Sequence, residues 1–256
     1  MNQPVKVKAR DYKSEVKPIW CPGCGHFSVL NAVTKAFAGL GIAKDDTVLV
    51  SGIGCSSRLP AYVDSYGFHG VHGRGLALAQ GLKVARPDLT VIALGGDGDG
   101  FSIGGNHFIH ACRRNVNITY IAMDNEVYGM TKGQASPTTP ADWDHSKLTP
   151  HGPGVRPFKP AALALAAGAP WIARGYSGDP NQMARLIAEA IEHPGFSFLH
   201  VLSQCITFCP EQTDWKSVVS DRDGPALSDA DVAASLFHHE DGFQTGVLYA
   251  SPRDAW

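Results

Sequence analysis

Short runs of consecutive apolar residues alternate along this chain with longer segments in which apolar residues recur every three or four positions. The short runs predict buried strands, and the longer segments predict helices with one apolar face. The predicted strands cover residues 47–51, 90–94, 118–123, a short stretch near 172, and 197–202. The predicted helices cover residues 26–40, 75–86, 106–114, 161–167, 181–193 and 229–238. Apolar strands that alternate with helices are typical of a mostly parallel sheet with helices on both faces, so the predicted fold class is α/β.

Glycine-rich segments follow two of the predicted strands. Open parallel sheets bind ligands at the carboxyl ends of their strands, so the segments 52–58 and 95–100 are predicted to border a ligand site. A third candidate region is 131–160, which contains six of the 17 prolines and few apolar residues. This composition predicts a long irregular loop, and long loops in compact domains are commonly functional.

The composition narrows the possible functions. The chain has 256 residues, 44% of them apolar, which is enough for one large domain or two small ones with a sizeable core. A formal net charge of −2 argues against a dedicated nucleic-acid-binding protein. No apolar run is long enough to span a membrane, and the polar start does not resemble a secretory signal, so we expect a cytoplasmic protein. The basic segment 1–20 is expected to be a solvated arm or a contact for an acidic partner.

Two turns after neighbouring predicted strands carry the residue types of a magnesium–diphosphate site. Asp97 stands between Gly96 and Gly98, and Asn125 follows the next strand, one strand–helix–strand excursion later. Both turns are therefore expected at the same sheet edge. Mg²⁺ prefers oxygen ligands that it shares with phosphates; Asp97 offers a carboxylate, Asn125 an amide oxygen and Val127 a backbone carbonyl. Gly-Asp-Gly alone is commonly only a turn, but its pairing with Asn125 favours a cofactor site.

The cysteines predict a second site. Six cysteines are too few for a disulfide scaffold and are more typical of metal ligands or core thiols. Cys21 and Cys24 form a C-x-x-C pair, and Cys55 follows a strand at the edge predicted for the diphosphate turns. Thiolates select zinc or iron–sulfur clusters, and a structural zinc site usually brings two compact pairs where this chain has one.

Two of the three remaining cysteines are candidates for a fourth ligand. Cys205 and Cys209 both follow the last predicted strand, and their spacing does not choose between them. Cys112 lies within an apolar helix and is expected to be a core thiol.

Several short motifs occur in order along most of the chain. They are WCPGCGH at 20–26, GIGCSSR at 52–58, HGRGLALAQGLK at 72–83, GGDGDG at 95–100, DNEVYGMTKGQASPT at 124–138 and the late Cys205. In this combination, over residues 16–210, the sequence resembles the beta subunits of 2-oxoacid:ferredoxin oxidoreductases. Within that family it is most similar to the 2-oxoglutarate enzymes. No single motif is specific to this family, but the combination of motifs in this order is.

The resemblance implies a thiamine diphosphate-binding fold and a set of cofactor ligands. It implies Mg²⁺ held by Asp97, Asn125 and the Val127 carbonyl. It implies a [4Fe–4S] cluster whose ligands are Cys21, Cys24, Cys55 and Cys205. This ligand set selects Cys205 over Cys209. Contacts to thiamine diphosphate are implied at Ile53, Gly54, Cys55, Ser56, His72, Gly73, Arg74, Gly98, Asp99, Gly129 and Met130.

The resemblance also implies a reaction and partners. The family converts a 2-oxo acid, coenzyme A and oxidised ferredoxin to an acyl-CoA, CO₂ and reduced ferredoxin, or carries out the reverse carboxylation. Thiamine activation needs a glutamate, and none of the six glutamates here stands in a recognisable motif for it. In the family an alpha subunit supplies this glutamate, so we expect an αβ heterodimer or a dimer of heterodimers. The expected division is an arm at 1–20, a thiamine diphosphate and cluster domain at 21–210, and an extension at 211–256 that packs on the domain or on the partner.

Two basic residues are candidates for substrate choice. Arg58 follows Cys55 by three residues, and Lys132 lies on a glycine-bearing loop after Asn125. Because 2-oxoglutarate has a second carboxylate, a guanidinium or an ammonium group here would favour it over pyruvate. The alternative for both residues is a solvated side chain or a structural ion pair.

Two other functions are retained as alternatives. An electron carrier or a zinc-stabilised binding module would have no use for the paired Asp97 and Asn125 turns. A non-oxidative thiamine decarboxylase or synthase would have no use for four cysteine ligands.

Overall fold

The computed structural model describes residues 7–256, so the first six residues of the predicted arm lie outside the described range. The α-helices are α1 (His26–Leu40), α2 (Gly75–Ala85), α3 (Gly105–Arg114), α4 (Pro160–Ala166), α5 (Pro180–Glu192), α6 (Trp215–Val218) and α7 (Ala230–His239). The strands are β1 (Thr47–Ser51), β2 (Tyr66–His69), β3 (Thr90–Gly96), β4 (Thr119–Asp124), β5 (Val127–Tyr128), β6 (Gln134–Ala135), β7 (Trp171–Tyr176), β8 (Ser197–Leu202), β9 (Ser220–Asp221) and β10 (Gln244–Ala250). Short 3₁₀ helices cover Ala9–Tyr12, Lys44–Asp46, Ser56–Tyr62 and Pro210–Asp214, and a π-helical turn covers Gly98–Ile103.

Helix α1 illustrates how the apolar pattern produces an element. Val29, Val33 and Phe37 recur at helical spacing and are fully buried. Gly41 ends the helix with a left-handed backbone at φ 65°, and its N–H donates to the Phe37 carbonyl. The bounds of α1, β1 and β8 match the prediction residue for residue, and the other predicted helices and strands are present with small shifts at their ends.

Eight strands form one sheet in the order β2–β1–β3–β4–β8–β7–β10–β9. Every neighbouring pair from β2 to β7 is parallel, whereas β10 runs antiparallel to β7. Helices α1 and α5 cover one face, where Leu49 and Ile92 are buried. Helices α2, α3, α4 and α7 cover the other face, where Val50 and Val91 are buried. The predicted α/β class is confirmed.

Strands β2 and β10 were not predicted from the sequence: β2 has no continuous apolar run, and the apolar residues 247–250 of β10 were not recognised as a strand. All four residues of β2 are exposed, since β2 is an edge strand that pairs only with β1. Strand β10 contains Gly246 at φ 115° and a change of register between Val247 and Tyr249. Because β10 lies within 211–256, this last segment of the chain contributes a strand to the sheet.

The topology brings three loops to one edge of the sheet. Strands β1, β3 and β4 are parallel neighbours, so the segments that follow them leave the sheet side by side. The segments after β1 and β3 are glycine-rich, and the segment after β4 carries Asn125. Within residues 7–256, no helix is both long enough and apolar enough to cross a lipid bilayer.

Candidate functional site

A cavity opens at this edge of the sheet, between the segments that follow β1, β3 and β4. The three predicted magnesium ligands, Asp97, Asn125 and Val127, line it. The predicted thiamine diphosphate contacts that line it are Ile53, Gly54, Cys55, Ser56, His72, Gly98, Asp99, Gly129 and Met130. Gly73 and Arg74 do not line this cavity; the Arg74 guanidinium instead donates to the Ile103 carbonyl at 3.1 Å.

The two turns that are predicted to bind magnesium lie next to each other because β3 and β4 are paired in register. Gly96 stands opposite Met123, so Asp97 and Asn125 leave the sheet as neighbours. Asn125 Oδ1 accepts the Val127 N–H at 3.3 Å, which folds this turn back on itself. Glu126, between them, has a positive φ of 57°, a strained backbone for a residue other than glycine.

Within residues 7–256, no basic side chain balances the carboxylate charge at this turn. Asp97 is only 2% exposed, and burial together with the charge of Asp124 raises the pKa of Asp97 to about 8. Within residues 7–256, no basic side chain forms an ion pair with Asp97. A buried carboxylate is costly without a cation, and a carboxylate, an amide oxygen and a carbonyl are the ligands that Mg²⁺ prefers. The residues present therefore fit a bound magnesium ion.

Asp97 belongs to a buried network of side-chain hydrogen bonds. Thr138 Oγ1 lies 3.1 Å from Asp97 Oδ2 and 2.8 Å from Asp124 Oδ1. Asp124 Oδ2 lies 2.8 Å from His200 Nε2, and His200 Nδ1 accepts from Arg174 Nε at 3.1 Å. Because Nδ1 is an acceptor, the ring proton is on Nε2, and His200 donates to Asp124. Sequence reasoning missed this network: Asp124 and Thr138 stand at the two ends of the 124–138 motif, but His200 and Arg174 come from distant segments that carry no motif.

Asp99 holds two of the loops together. Its Oδ1 accepts the N–H of Ile53 at 2.8 Å and the N–H of Gly73 at 2.7 Å. His72 Nδ1 lies 3.0 Å from the same oxygen. A side chain at Gly52 would overlap the Asp99 carboxylate, so this position requires glycine. Asp99 thus fixes the separation between the loop after β1 and the loop before α2.

The four predicted cluster ligands lie near one another beside this cavity. Burial raises the pKa of the Cys24 thiol to about 12, and the thiols of Cys205, Cys55 and Cys21 are close enough to raise it further. Cys55 also lines the cavity itself. Within the described residues, no three His, Cys, Asp or Glu side chains converge closely enough to hold a metal ion. The thiols are therefore grouped without converging on one point.

Of the other two cysteines, Cys209 packs against Cys205, and Cys112 lies in a different part of the core. Burial raises the pKa of the Cys209 thiol, and the charges that raise it further come from Glu211, Cys205 and Glu126 rather than from Cys21, Cys24 or Cys55. Cys112 is fully buried within α3, in the core on the far side of the sheet from α1. The charge of Cys205, rather than that of Cys209, is among those that raise the pKa of Cys24 and Cys55, which favours Cys205 as the fourth thiol.

Two residues that were not assigned a role from the sequence lie beside the thiols. His26 lines the cavity, and its Nδ1 lies 2.7 Å from Ser203 Oγ. Burial lowers the pKa of His26 to about 4, so the ring is neutral near pH 7. Trp20 packs edge-on against His26 and donates its indole N–H to the Cys55 carbonyl at 2.7 Å. The WCPGCGH motif contains both residues and was the available signal.

The two candidate substrate residues lie outside the cavity. Arg58 lines an adjoining groove with Lys17 and His69, and its positive charge is close enough to lower the pKa of Cys55, although burial of that thiol has the larger, opposite effect. Lys132 is exposed on a turn with a positive φ of 86° and does not line the cavity. Tyr128, which was not predicted, does line it and occupies the space that a side chain at Gly98 would need.

The fold and this site correspond to a known class of cofactor-binding domain. Residues 52–201 match the family model described as "Thiamine pyrophosphate enzyme, C-terminal TPP binding domain". This range contains the loops after β1, β3 and β4 that form the cavity. The chain therefore contains a thiamine diphosphate-binding domain.

Comparison with individual proteins shows which family of thiamine diphosphate-binding proteins this chain belongs to. The chain is 46% identical over 79% of its length to the 2-oxoglutarate synthase subunit KorB of Archaeoglobus fulgidus, and it covers 76% of that protein. It is 44% identical over 78% of its length to the 2-oxoglutarate oxidoreductase subunit KorB of Mycobacterium tuberculosis, but it covers only 54% of that protein. The chain belongs to the family of 2-oxoacid:ferredoxin oxidoreductase beta subunits that includes these 2-oxoglutarate synthase subunits. The resemblance seen in the motifs is confirmed.

A solved structure agrees with this assignment. The 2-oxoglutarate:ferredoxin oxidoreductase from Magnetococcus marinus, with 2-oxoglutarate, coenzyme A and succinyl-CoA bound, superposes with a TM-score of 0.94. It is 45% identical to this chain and covers 98% of it, and this chain covers 87% of that one. The similarity thus extends over the C-terminal segment as well as the family-model range.

Proposed function

We propose that this chain is the catalytic beta subunit of a heteromeric 2-oxoglutarate:ferredoxin oxidoreductase. The reaction joins 2-oxoglutarate, coenzyme A and two oxidised ferredoxins to give succinyl-CoA, CO₂, two reduced ferredoxins and a proton, or runs in reverse. The observation that carries the proposal is one cavity lined both by the Asp97 turn and by Cys55. A thiamine enzyme whose electrons leave singly needs a redox centre next to its cofactor. The ligands bound to the Magnetococcus marinus enzyme support this choice of substrate and product.

The chain's own residues have defined parts in this proposal. Asp97, Asn125 and the Val127 carbonyl would hold Mg²⁺ against the diphosphate. When bound, thiamine diphosphate supplies the electron sink that makes decarboxylation feasible. Asp99 keeps the loops around the cofactor at a fixed separation, and Tyr128 fills the cavity wall beside Gly98.

The cysteine group is proposed to hold an iron–sulfur cluster rather than zinc. The proposed ligands of the [4Fe–4S] cluster are Cys21, Cys24, Cys55 and Cys205. Thiolates bind both zinc and iron–sulfur clusters, and the proposal takes the cluster because a reaction whose electrons leave singly needs a redox centre, which zinc does not provide. Because Cys55 also lines the thiamine cavity, the cluster would lie directly beside the cofactor.

The active site is proposed to be completed by an alpha subunit. All six glutamates lie within the described residues, and none of them lines the cavity. The glutamate that activates the aminopyrimidine ring of thiamine would therefore come from the partner, in an αβ heterodimer or a dimer of heterodimers. Ferredoxin is the proposed electron acceptor, and coenzyme A the proposed co-substrate.

Substrate selection is proposed to involve Arg58, with Lys132 in a secondary role. Arg58 lies in a groove that shares Ile53, Gly54 and Met130 with the thiamine cavity, so its charge is next to the site without entering it. A guanidinium group can hold a carboxylate through two parallel hydrogen bonds. The exposed Lys132 could join it only if its loop closes over the site.

The proposed function is tested on the complex with its partner chain, purified without oxygen. We expect a broad visible absorbance, about four iron atoms per beta chain and bound thiamine diphosphate. A colourless protein that contains zinc would contradict the proposal.

Asp97→Ala tests the metal turn. The substitution removes the one side-chain carboxylate among the proposed ligands, so thiamine diphosphate affinity, measured by calorimetry with Mg²⁺ present, should fall by about 100-fold or more. The cluster absorbance should persist. Unchanged cofactor affinity would exclude Asp97 as the metal ligand.

A further inference from the structure

A single buried amide links the metal turn to the segment that carries the fourth cysteine. Gln212 lies in the short helix Pro210–Asp214 and is only 2% exposed. Its Oε1 accepts the backbone N–H of Cys205 at 2.7 Å, and its Nε2 donates to the backbone carbonyl of Asn125 at 2.8 Å. The amide oxygen and the amide nitrogen of this side chain therefore each bond to the backbone of a different segment.

The bond to Asn125 acts on a strained peptide. The Asn125 carbonyl belongs to the peptide that leads into Glu126, whose φ of 57° is unfavourable for a side chain other than glycine. Asp124 Oδ1 accepts the Glu126 N–H at 2.9 Å, so this peptide is held at the nitrogen by Asp124 and at the oxygen by Gln212. This peptide directly joins Asn125 to the residues that lead to Val127, so it lies between the proposed side-chain and carbonyl ligands of the metal.

The bond to Cys205 fixes a second segment. Cys205 begins a turn in which its carbonyl accepts the Cys209 N–H at 2.8 Å, and the Gln212 N–H in turn donates to Cys209 at 3.0 Å. Gln212 thereby closes a compact loop onto the Cys205 peptide. The loop keeps the Cys205 thiol with the other three thiols.

We propose that Gln212 is a positioning residue that sets, through these two backbone contacts, both the Asn125–Val127 metal turn and the Cys205 thiolate. The inference rests on the proposed function. It also assigns a role to the segment after residue 210, because this segment lies beyond the matched family-model range and still reaches both proposed cofactor sites.

The test replaces Gln212 with methionine, which has nearly the same length but cannot form either bond. The matched control is Gln182→Met. Gln182 is also buried, and its Nε2 also makes two hydrogen bonds, to Asp221 and Thr245, but on α5 and away from the cavity. Both variants are made in the full complex and purified without oxygen.

Two readouts other than turnover are measured. The first is the Mg²⁺ concentration that gives half-maximal thiamine diphosphate binding, and the second is the electron paramagnetic resonance spectrum of the reduced cluster. In Gln212→Met we expect the Mg²⁺ requirement to rise about 10- to 100-fold, the usual effect of losing a residue that orients metal ligands, and the cluster spectrum to shift. Gln182→Met should leave both unchanged, even if its thermal stability falls as much.

Each outcome decides the proposal. The proposal is supported if both readouts change in Gln212→Met and neither changes in Gln182→Met. If only one readout moves, or if Gln212→Met behaves like Gln182→Met, Gln212 does not position both sites. A wild-type complex that lacks cluster or cofactor would contradict the proposed function itself, which separates the two failures.

Discussion

Cys205 and Cys209 are four residues apart and are both buried, yet their thiols face different surroundings. Cys205 approaches the cavity, and its thiol lies near the position that a side chain at Gly129 would take. Cys209 packs with Val127, Trp143 and Cys205 itself in a small apolar cluster, and unlike Cys205 it is not among the groups that raise the pKa of Cys24 or Cys55. At the scale of single residues, the direction of a thiol decides whether it can serve as a ligand.

This difference predicts opposite outcomes for two alanine variants. Cys205→Ala should lose the visible absorbance of the cluster, because one of its four thiolates is gone. Cys209→Ala should keep the absorbance, since its thiol does not face the other three. Anaerobic absorbance spectra with iron analysis check both, and the reverse pattern would show that Cys209 is the ligand.

Arg58 carries the prediction on substrate choice. A charge-assisted hydrogen bond contributes roughly 1.5–3 kcal/mol, so Arg58→Leu should lower the preference for 2-oxoglutarate over pyruvate by about 10- to 150-fold. The measurement is the ratio of kcat/KM for the two substrates. Arg86→Leu, which breaks an exposed ion pair with Asp88, is the control. An unchanged ratio in Arg58→Leu would place the selecting cation elsewhere.

At the scale of elements, Asn115 joins the end of α3 to the rest of the sheet. Its backbone is left-handed, with φ 55°, and ends the helix. Its side chain is 2% exposed; Oδ1 accepts the Phe196 N–H at 2.8 Å, and Nδ2 donates to the carbonyls of Arg253 and Asp254. One residue therefore ties α3, the start of β8 and the C-terminal segment together.

Asn115→Ala should destabilise the protein by about 3 kcal/mol, because it removes three side-chain hydrogen bonds and places alanine in a left-handed backbone. Asn115→Gly should cost less, since glycine accepts positive φ. The thermal midpoint, followed by circular dichroism, should fall by roughly 6–12 °C in the alanine variant. Asn181→Ala, whose side chain meets Lys35 at the surface, is the control, and an equal midpoint in Asn115→Ala and this control would refute the argument.

At the scale of the whole molecule, the cavity lies at the edge of the sheet where β1, β3 and β4 end. The loops after β1, β3 and β4 supply the metal turn and the proposed cluster ligand Cys55. No glutamate lines it, although thiamine activation requires one. In the proposed function, this chain therefore contributes half of an active site that a partner chain completes.

The isolated chain should therefore show no 2-oxo acid-dependent dye reduction and should bind thiamine diphosphate weakly. Adding the partner chain should restore both activity and tight cofactor binding. Dye reduction is followed at saturating 2-oxoglutarate and coenzyme A, with the partner chain alone as the control. Robust turnover by the isolated chain would refute a shared active site.

The apolar periodicity and the turn chemistry were sufficient to predict the α/β class, the bounds of α1 and β8, and the Asp97–Asn125 turn pair. These features are local, because a strand or a glycine-rich turn is specified by consecutive residues. The pairing of the two turns could be foreseen because parallel neighbours end at the same edge. The motifs in their order were enough to indicate the family.

The contacts that complete the site could not be foreseen in this way. Thr138 reaches Asp97 across 41 residues, and Gln212 reaches Asn125 across 87. Thr138 belongs to the 124–138 motif and Gln212 to none, but in neither case does the sequence show the bonding partner, because a buried hydroxyl or amide can bond to any polar group that the fold brings near. The antiparallel β10 and the direction of the Cys205 thiol were likewise decided by packing between distant segments, which leaves no periodic signal along the chain.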